Sequence, residues 1–316
     1  MTSAATHMAA GTAPEIRQRK PRRRGRRLLL HLFLIAMCAL WLFPLVWAVY
    51  TSLRPYGDTA SSAYGYISIG GHYNLDNFAN AWDRANLPQF YLNTFIIVVP
   101  AVIIVLLLSS MVAFGVARFS FRFNVALLML FTAGNLLPQQ VIITPLYRMF
   151  LILPLPNLFN APGYGPFPSD NGLFYDQYIG IIAIHVAFQL GFCTFVLSNF
   201  MRTIPRELNE AAIVDGAGVA RMWWTVILPL CRPALAALAT LEFTFIYNDF
   251  LWALLLMRTG SKLPITSALN NLGGQFFTDN NLVAAGSMMV ALPTLIVYFL
   301  LQKQFIGGLT LGSTKG

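Results

Sequence analysis

Two carboxylates stand where acids are rare. Glu242 and Asp249 lie inside an otherwise apolar run from 233 to 257, seven residues apart and so on nearly one helical face. A charge at the centre of a bilayer costs about 2.5 to 3.5 kcal/mol on insertion scales, so both must face protein or water. The chemistry open to them is a proton relay or a polar contact that structures a pathway or an interface. His185 stands alone in another apolar run and reads as a hydrogen-bonded core residue rather than a metal ligand, because no second His lies within reach on the same helix. Cys38, Cys193 and Cys231 form no CxxC pair and no Cys/His cluster, so they read as small core residues. Asn135, Gln139, Gln140, Tyr247 and Asn248 supply amides and an aromatic face within the spans, and with Asp249 they are the candidates for a substrate pathway.

The elements that carry these residues are spanning helices. The chain has 316 residues, 57% hydrophobic and 10% charged, against roughly 25% charged in a soluble domain. Its mean hydropathy of +0.62 excludes disorder. Six segments meet the requirement of about 20 mostly apolar residues: 28–50, 93–117, 124–147, 178–201, 233–257 and 282–302. They are continuous in apolar character and lack the dyad alternation of an outer-membrane barrel, so the fold class is all-α, a polytopic membrane protein with six spans.

The net charge of +9 is concentrated rather than spread. Eight of the 21 basic residues fall between Arg17 and Arg27, a tail that suits anionic lipid and positive-inside topology. No aromatic-interleaved basic platform follows, which argues against nucleic acid. The apolar segment after the tail is longer than a signal-peptide core and lacks a clear small-x-small cleavage site. With the N-terminus in the cytoplasm, sixteen basic residues lie inside and five outside, so both termini are expected to be cytoplasmic. The chain then divides into a basic tail (1–27), a spanning domain (28–304) and a C-terminal tail (305–316).

One inward loop is longer than a purely spanning protein needs. In residues 203–218, "TIPRELNEAAIVDGAG", Pro205 suits a first helical turn, Glu207 the positive helix start and Gly216 the stop, which predicts a helix from Pro205 to Asp215. After the turn at Gly216 to Gly218, residues 219–230 predict a second apolar helix, interrupted by Pro229 and Pro233. Ala211 and Ala212 keep one face slim, while Glu210 and Asp215 offer charge to Arg or Lys. From the residues alone, such a hairpin could equally lie on lipid.

Residues 210–229, "EAAIVDGAGVARMWWTVILP", resemble the EAA loop of ABC importer permeases: EAA, three residues, Gly, nine residues, a branched apolar residue, one more, then Leu-Pro. Val226 stands where Ile is usual, and Glu210, Ala211, Ala212, Gly216, Leu228 and Pro229 match. The segments "YNLDNFANAW" (73–82), "LLPQQVIITPLY" (136–147), "FIYNDFLWALLL" (245–256) and "QKQFIGGLTLGSTKG" (302–316) are similar to the oligosaccharide-uptake permeases of the second maltose-permease-subunit type.

The resemblance implies a subunit of an ATP-driven sugar importer in the bacterial cytoplasmic membrane, itself not an enzyme. No GxxxxGK[ST] phosphate loop is present, since Gly307 to Gly312 is followed by Ser313, so ATP and magnesium are expected on a partner ATPase. In the family, the EAA hairpin is the coupling helix, which places Glu210, Ala211, Ala212, Asp215, Gly216, Gly218 and Pro229 at the ATPase contact. Gly307, Gly308 and Gly312 would give the C-terminal tail an irregular path into the ATPase interface. The implied partners are a homologous second permease, two ATPase subunits and an extracytoplasmic sugar-binding protein. The rival reading is a proton-coupled secondary transporter using Glu242 and Asp249.

Overall fold

The computed structural model describes residues 24–61, 65–67, 69–120, 122–136, 138–155, 172–272 and 278–310. These are helical almost throughout, with no strand longer than an isolated bridge such as Pro154 to Leu173. The chain divides into two compact units, Met1–Trp47 and Ala48–Gly316.

Helix α1 (Arg24–Ser52) carries the first unit and ends in the second. From Leu28 to Val46 its apolar side chains are exposed around the whole circumference. Such a helix has no polar face for water and needs an apolar solvent or a partner.

The second unit holds α2 (Tyr56–Ser61), α3 (Asp76–Arg84), α4 (Leu87–Arg118), α5 (Asn124–Leu136), α6 (Gln139–Ile152) and α7 (Tyr178–Thr203). There follow α8 (Glu207–Val214), α9 (Val219–Met222), a π turn (Trp223–Ile227), α10 (Leu228–Leu230), α11 (Arg232–Tyr247), α12 (Leu251–Leu256), α13 (Ile265–Ala268) and α14 (Asn280–Thr310). Helix α4 packs along α7, and α11 packs along α14. The buried apolar residues separate into two cores. One holds Phe90, Ile97, Ala101, Ile181, Ile184, Ile246 and Trp252; the other holds Val105, Phe114, Cys193, Leu197, Met222, Ile227 and Leu238. Along α4, α7 and α11 alike the two sets do not interleave, so one core fills each end of the bundle. The second lies at the end bearing the α8 hairpin. Between helices in lipid such contact acts through close packing more than through exclusion of water.

Among the described residues, four helices are long and apolar enough to cross a membrane alone: Arg27–Ser52, Leu87–Arg118, Tyr178–Thr203 and Asn280–Gln302. Two bent pairs bring the total to six if each counts as one span: Ala126–Gly134 with Gln139–Ile152, and Val219–Leu230 with Arg232–Tyr247, the latter bent by 76°. The expected continuous helix over 233–257 is broken. Helix α11 stops at Tyr247 and α12 starts at Leu251, and Asp249, one residue before the N-cap Phe250, accepts from the backbone N–H groups of Trp252 (3.3 Å) and Ala253 (3.4 Å) in the first turn of α12. Likewise the segment expected over 124–147 is divided into α5 and α6, with Pro138 opening α6. Helix α14 runs past 302 through Gly307 and Gly308 to Thr310, a regular path where the glycines led to expectation of an irregular one; Gly312 lies outside the described residues.

Candidate functional site

The loop singled out by sequence folds as a hairpin. Helix α8 occupies Glu207–Val214, inside the predicted bounds. Its end is a Schellman motif: Gly216 N–H donates to the Ile213 carbonyl (3.0 Å) and Ala217 N–H to that of Ala212 (2.9 Å). Gly216 sits at φ +74°, the left-handed conformation that this motif requires and that glycine alone adopts without strain. Ala212 is buried and ties α8 to the core, whereas Ala211, Glu210, Asp215, Gly216 and Gly218 are exposed. Beside them Ile213 is 61% and Val214 86% exposed. The Glu210 and Asp215 carboxylates have no hydrogen-bond or ion-pair partner among the described residues. Two bare acids flanking two bare aliphatics, on a turn fixed by backbone hydrogen bonds, make a rigid projection complementary to an apolar cleft with a basic rim.

The second half of the hairpin is less regular than its apolar sequence suggests. After one turn of α9 the backbone widens into the π turn, and Pro229, which has no N–H, follows at the start of α10. Behind it, Arg118 at the end of α4 donates from Nη1 to the Ile204 carbonyl (3.1 Å). That bond fastens the end of α7 to α4 at the base of the hairpin.

Glu242 and Asp249 are both turned toward α7. Glu242 is 0% exposed and accepts from the Cys193 thiol at 3.1 Å; its second oxygen has no partner among the described residues. It lies between the two apolar cores. Asp249 Oδ2 stands 3.5 Å from His185 Nε2, within ion-pair reach but without hydrogen-bond geometry. Cys193 and His185 are eight residues apart on α7, and Glu242 and Asp249 seven apart on α11 and its extension, so the four groups form a buried polar seam between antiparallel helices.

Of the substrate-pathway candidates, Gln139, Gln140 and Asn248 are exposed. The Asn135 side chain lies outside the described residues. Tyr247 is 1% exposed, and its hydroxyl donates to the Val290 carbonyl at 2.8 Å; this aromatic is spent on joining α11 to α14. The exposed aromatic next to it is Phe245, 56% exposed, which the sequence reading passed over because apolar residues in a span carry no signal of their own.

At the end opposite the hairpin, four side chains that the sequence reading did not single out hold the loops. Asn281 donates to the carbonyls of Thr51 (3.1 Å) and Arg54 (2.8 Å) and accepts from Thr59 Oγ1 (2.9 Å). Asn77 donates to Ser52 and Arg54, both at 2.8 Å. Asn93 donates to Ser261 (2.7 Å) and Leu263 (2.9 Å) and accepts from the Tyr178 hydroxyl (2.7 Å). Asp176, at φ +61°, accepts from the backbone of Arg258 and Thr259 and from the Thr259 hydroxyl. Burial pushes the Asp176 carboxyl up, but those three donors together with nearby Lys262 outweigh it and hold it below the usual carboxylate range. A signal existed: Asn93 and Asn281 are amides in apolar helices, and such groups need partners as much as buried acids do.

The comparisons with known proteins agree with this geometry. Residues 90–304 match the family described as "Binding-protein-dependent transport system inner membrane component". The chain is 30% identical over 287 residues to a diacetylchitobiose uptake system permease protein of Streptomyces coelicolor, covering 90% of this chain and 88% of the relative. It is 31% identical over 299 residues to a melibiose/raffinose/stachyose import permease protein of Bacillus subtilis, covering 94% and 100%. In structure it is similar, with a TM-score of 0.73 and 18% identity over 91% of this chain and 100% of the other, to a chain of a bacterial ABC transporter involved in the import of the acidic polysaccharide alginate. The chain therefore belongs to the binding-protein-dependent transport system inner membrane component family. It is a multi-pass membrane permease of the all-α class.

Proposed function

We propose that this chain is one of two homologous permease subunits of an ATP-driven importer for a sugar, in the oligosaccharide range, located in a bacterial cytoplasmic membrane with both termini inside. The reading rests most on the α8 hairpin. A rigid turn that leaves Ile213 and Val214 bare beside Glu210 and Asp215 is costly on a lone protein and is explained by a seat on another. In a family of transport subunits the fitting seat is the ATPase, with one ATPase subunit under each permease, each binding ATP and magnesium. Glu210 meets basic residues there, Ala211 allows close approach, Gly216 and Gly218 aim the helix, and Pro229 sits at the bend that passes motion on to α11. Gly307 and Gly308 lie in the last turns of α14, and they and Gly312 belong to the tail that meets the ATPase pair. On the opposite face the loops that Asn93 and Asp176 hold receive the external sugar-binding protein. The basic tail before α1 rests on anionic lipid.

The test is purification of the tagged chain from its native membrane with mass spectrometry and an ATPase assay of the eluate, then uptake of labelled raffinose, maltotriose and diacetylchitobiose by cells. Co-purification of a second permease and an ATPase, with uptake that stops when ATP is depleted and survives a protonophore, is the expected result. A chain recovered alone, with uptake stopped by the protonophore at constant ATP, would instead favour proton coupling through Glu242 and Asp249.

A further inference from the structure

The hairpin leaves the helix bundle and returns to it through two joints, and one side chain stands between them. At the entry, α7 ends at Thr203 and Ile204 is extended (φ −75°, ψ 130°). Pro205, which follows, has no N–H to carry the helix on. The Ile204 carbonyl accepts instead from Arg118 Nη1 at 3.1 Å. At the exit, Cys231 is buried between α10 and α11, at the 76° bend. It lies near enough to Arg118 for the two side chains to interact electrostatically.

Arg118 is the last residue of α4, and the end of that helix is well held. Asn124, opening α5, donates to the carbonyls of Val116 (3.0 Å) and Phe119 (2.8 Å), groups that the helix itself leaves unmade. The Phe114 and Phe119 rings meet edge to face. From this base the guanidinium reaches the hairpin with only part of its capacity spent. Nη1 holds Ile204, while Nε and Nη2 are shielded from solvent and have no partner among the described residues. Those two N–H groups form one edge of the plane, which can serve two acceptors at once. No carboxylate among the described residues pairs with Arg118, and Arg206, the charged neighbour that acts on it, has the same sign. The last carbonyls of a helix lack partners within it, so the end of α7 can shift along this edge and still be held.

We propose that Arg118 is a positioning residue of the transport cycle: it grips the joint between α7 and the hairpin, so that a displacement of α8 moves α4 as well as α11. This rests on the reading of the hairpin as the seat on the ATPase, and names a second line by which motion enters the bundle. Without the grip, α8 swings on its joint and delivers less of its travel to the spans. Arg118 acts through the hairpin and touches neither ATP nor sugar.

The experiment uses the whole importer, purified in detergent for limited trypsin cleavage and reconstituted in proteoliposomes with ATP inside for uptake. Cleavage after Arg206, an exposed residue just past the joint, reads whether the joint is held. Initial uptake rates of whichever of raffinose, maltotriose and diacetylchitobiose the wild type carries, with ATP hydrolysis measured alongside, read what is transmitted. Arg118→Met, which keeps the length and loses every donor, is expected to raise cleavage about tenfold. It is also expected to lower kcat for uptake about tenfold with KM within about twofold, and to raise the ATP hydrolysed per sugar carried. Arg118→Lys, which keeps one donor group, is expected to recover to within about threefold of wild type in both assays. Faster cleavage with a wild-type ratio of ATP to sugar shows a tie that transmits nothing and overturns the proposal, as does unchanged cleavage with unchanged uptake. Loss of yield and melting temperature in both variants, with the ratio unchanged, marks a merely structural role and overturns it too. Uptake that ignores ATP depletion sinks the ATP-driven reading, whereas faster cleavage in Arg118→Met leaves the grip standing whatever drives import. Uptake of none of the three sugars by the wild type overturns the importer reading and the transmitting role together, and cleavage then decides the grip.

Discussion

At the loop end of the Ala48–Gly316 unit, Asn77, Asn93, Asp176 and Asn281 spend their polar atoms on backbone groups far away in sequence. At the hairpin end, the Glu210 and Asp215 carboxylates hold nothing among the described residues, and Ile213 and Val214 are bare. Among the described residues the first end is tied together within one chain. The second is shaped by its own turn and leaves these side chains unclaimed. That contrast separates two uses of rigidity: a frame that keeps loops in register, and a projection that must not bend when pushed. It also separates two kinds of damage, to stability and to coupling.

The largest effect is expected from Gly216→Pro. Proline cannot take φ +74° or donate to Ile213, so the turn is lost, and import should fall about a hundredfold, as misplacing a working group does. The melting temperature of the purified complex should hold within a few degrees. Glu210→Lys places a cation where a basic rim is expected and should cut import about tenfold while ATP hydrolysis continues, equivalent to about 1.4 kcal/mol of coupling. Import at wild-type rates in both variants would dissolve the distinction between the ends.

Asn281→Leu acts on the other term. It removes the Asn281 donor from the Thr51 carbonyl, which keeps the Arg54 N–H, from the Arg54 carbonyl, which keeps Asn77, and the acceptor of the Thr59 hydroxyl, which keeps the Tyr56 carbonyl, so each lost bond costs about 0.5 to 1.5 kcal/mol. Thermal unfolding in detergent should start several degrees lower, with the ratio of ATP hydrolysed to sugar carried unchanged. A changed ratio would show that the loop end is part of the drive.

The smallest effect is one of pH. The carboxyl of Asp176 is held below its usual range, so its contribution is present above the unfolded value of about 3.9 and disappears as pH falls through the lower folded value. Protease cleavage between 258 and 263 should therefore rise only in strong acid, below about pH 4. Asp176→Asn should make cleavage independent of pH over that range. Cleavage that already rises between pH 7 and 5 would mean that another group controls the loop.

The spans and the hairpin were legible because their signals are local. Apolar runs of sufficient length, Pro205, and the glycine at the foot of α8 each act through neighbours in sequence. The break at Asn248 to Phe250 was visible only as two acids in an apolar run; the bonds of Asp249 to Trp252 and Ala253 are local, but its contacts with Thr266 and His185 join segments distant in the chain. Asn93 and Asn281 were overlooked for the same reason, since an amide says that it needs partners without saying which. Tyr247 is a pathway candidate by residue type, while its hydroxyl donates to the Val290 carbonyl, a contact 43 residues away that its type does not announce.

The π turn has a consequence for how this segment counts. Met222 and Ile227 are both buried, yet five residues on an α-helix turn about 500°, which would set them some 140° out of phase. The wider turn brings them back to one side, so it behaves as a phase shifter carrying one residue more than a regular ladder would hold. Deleting Thr225 should therefore produce a tidier helix and a poorer machine: the hairpin would be rotated by about 100° relative to α11, with helical content preserved and its grip on the neighbouring protein aimed elsewhere. At this spot regularity is the mutation.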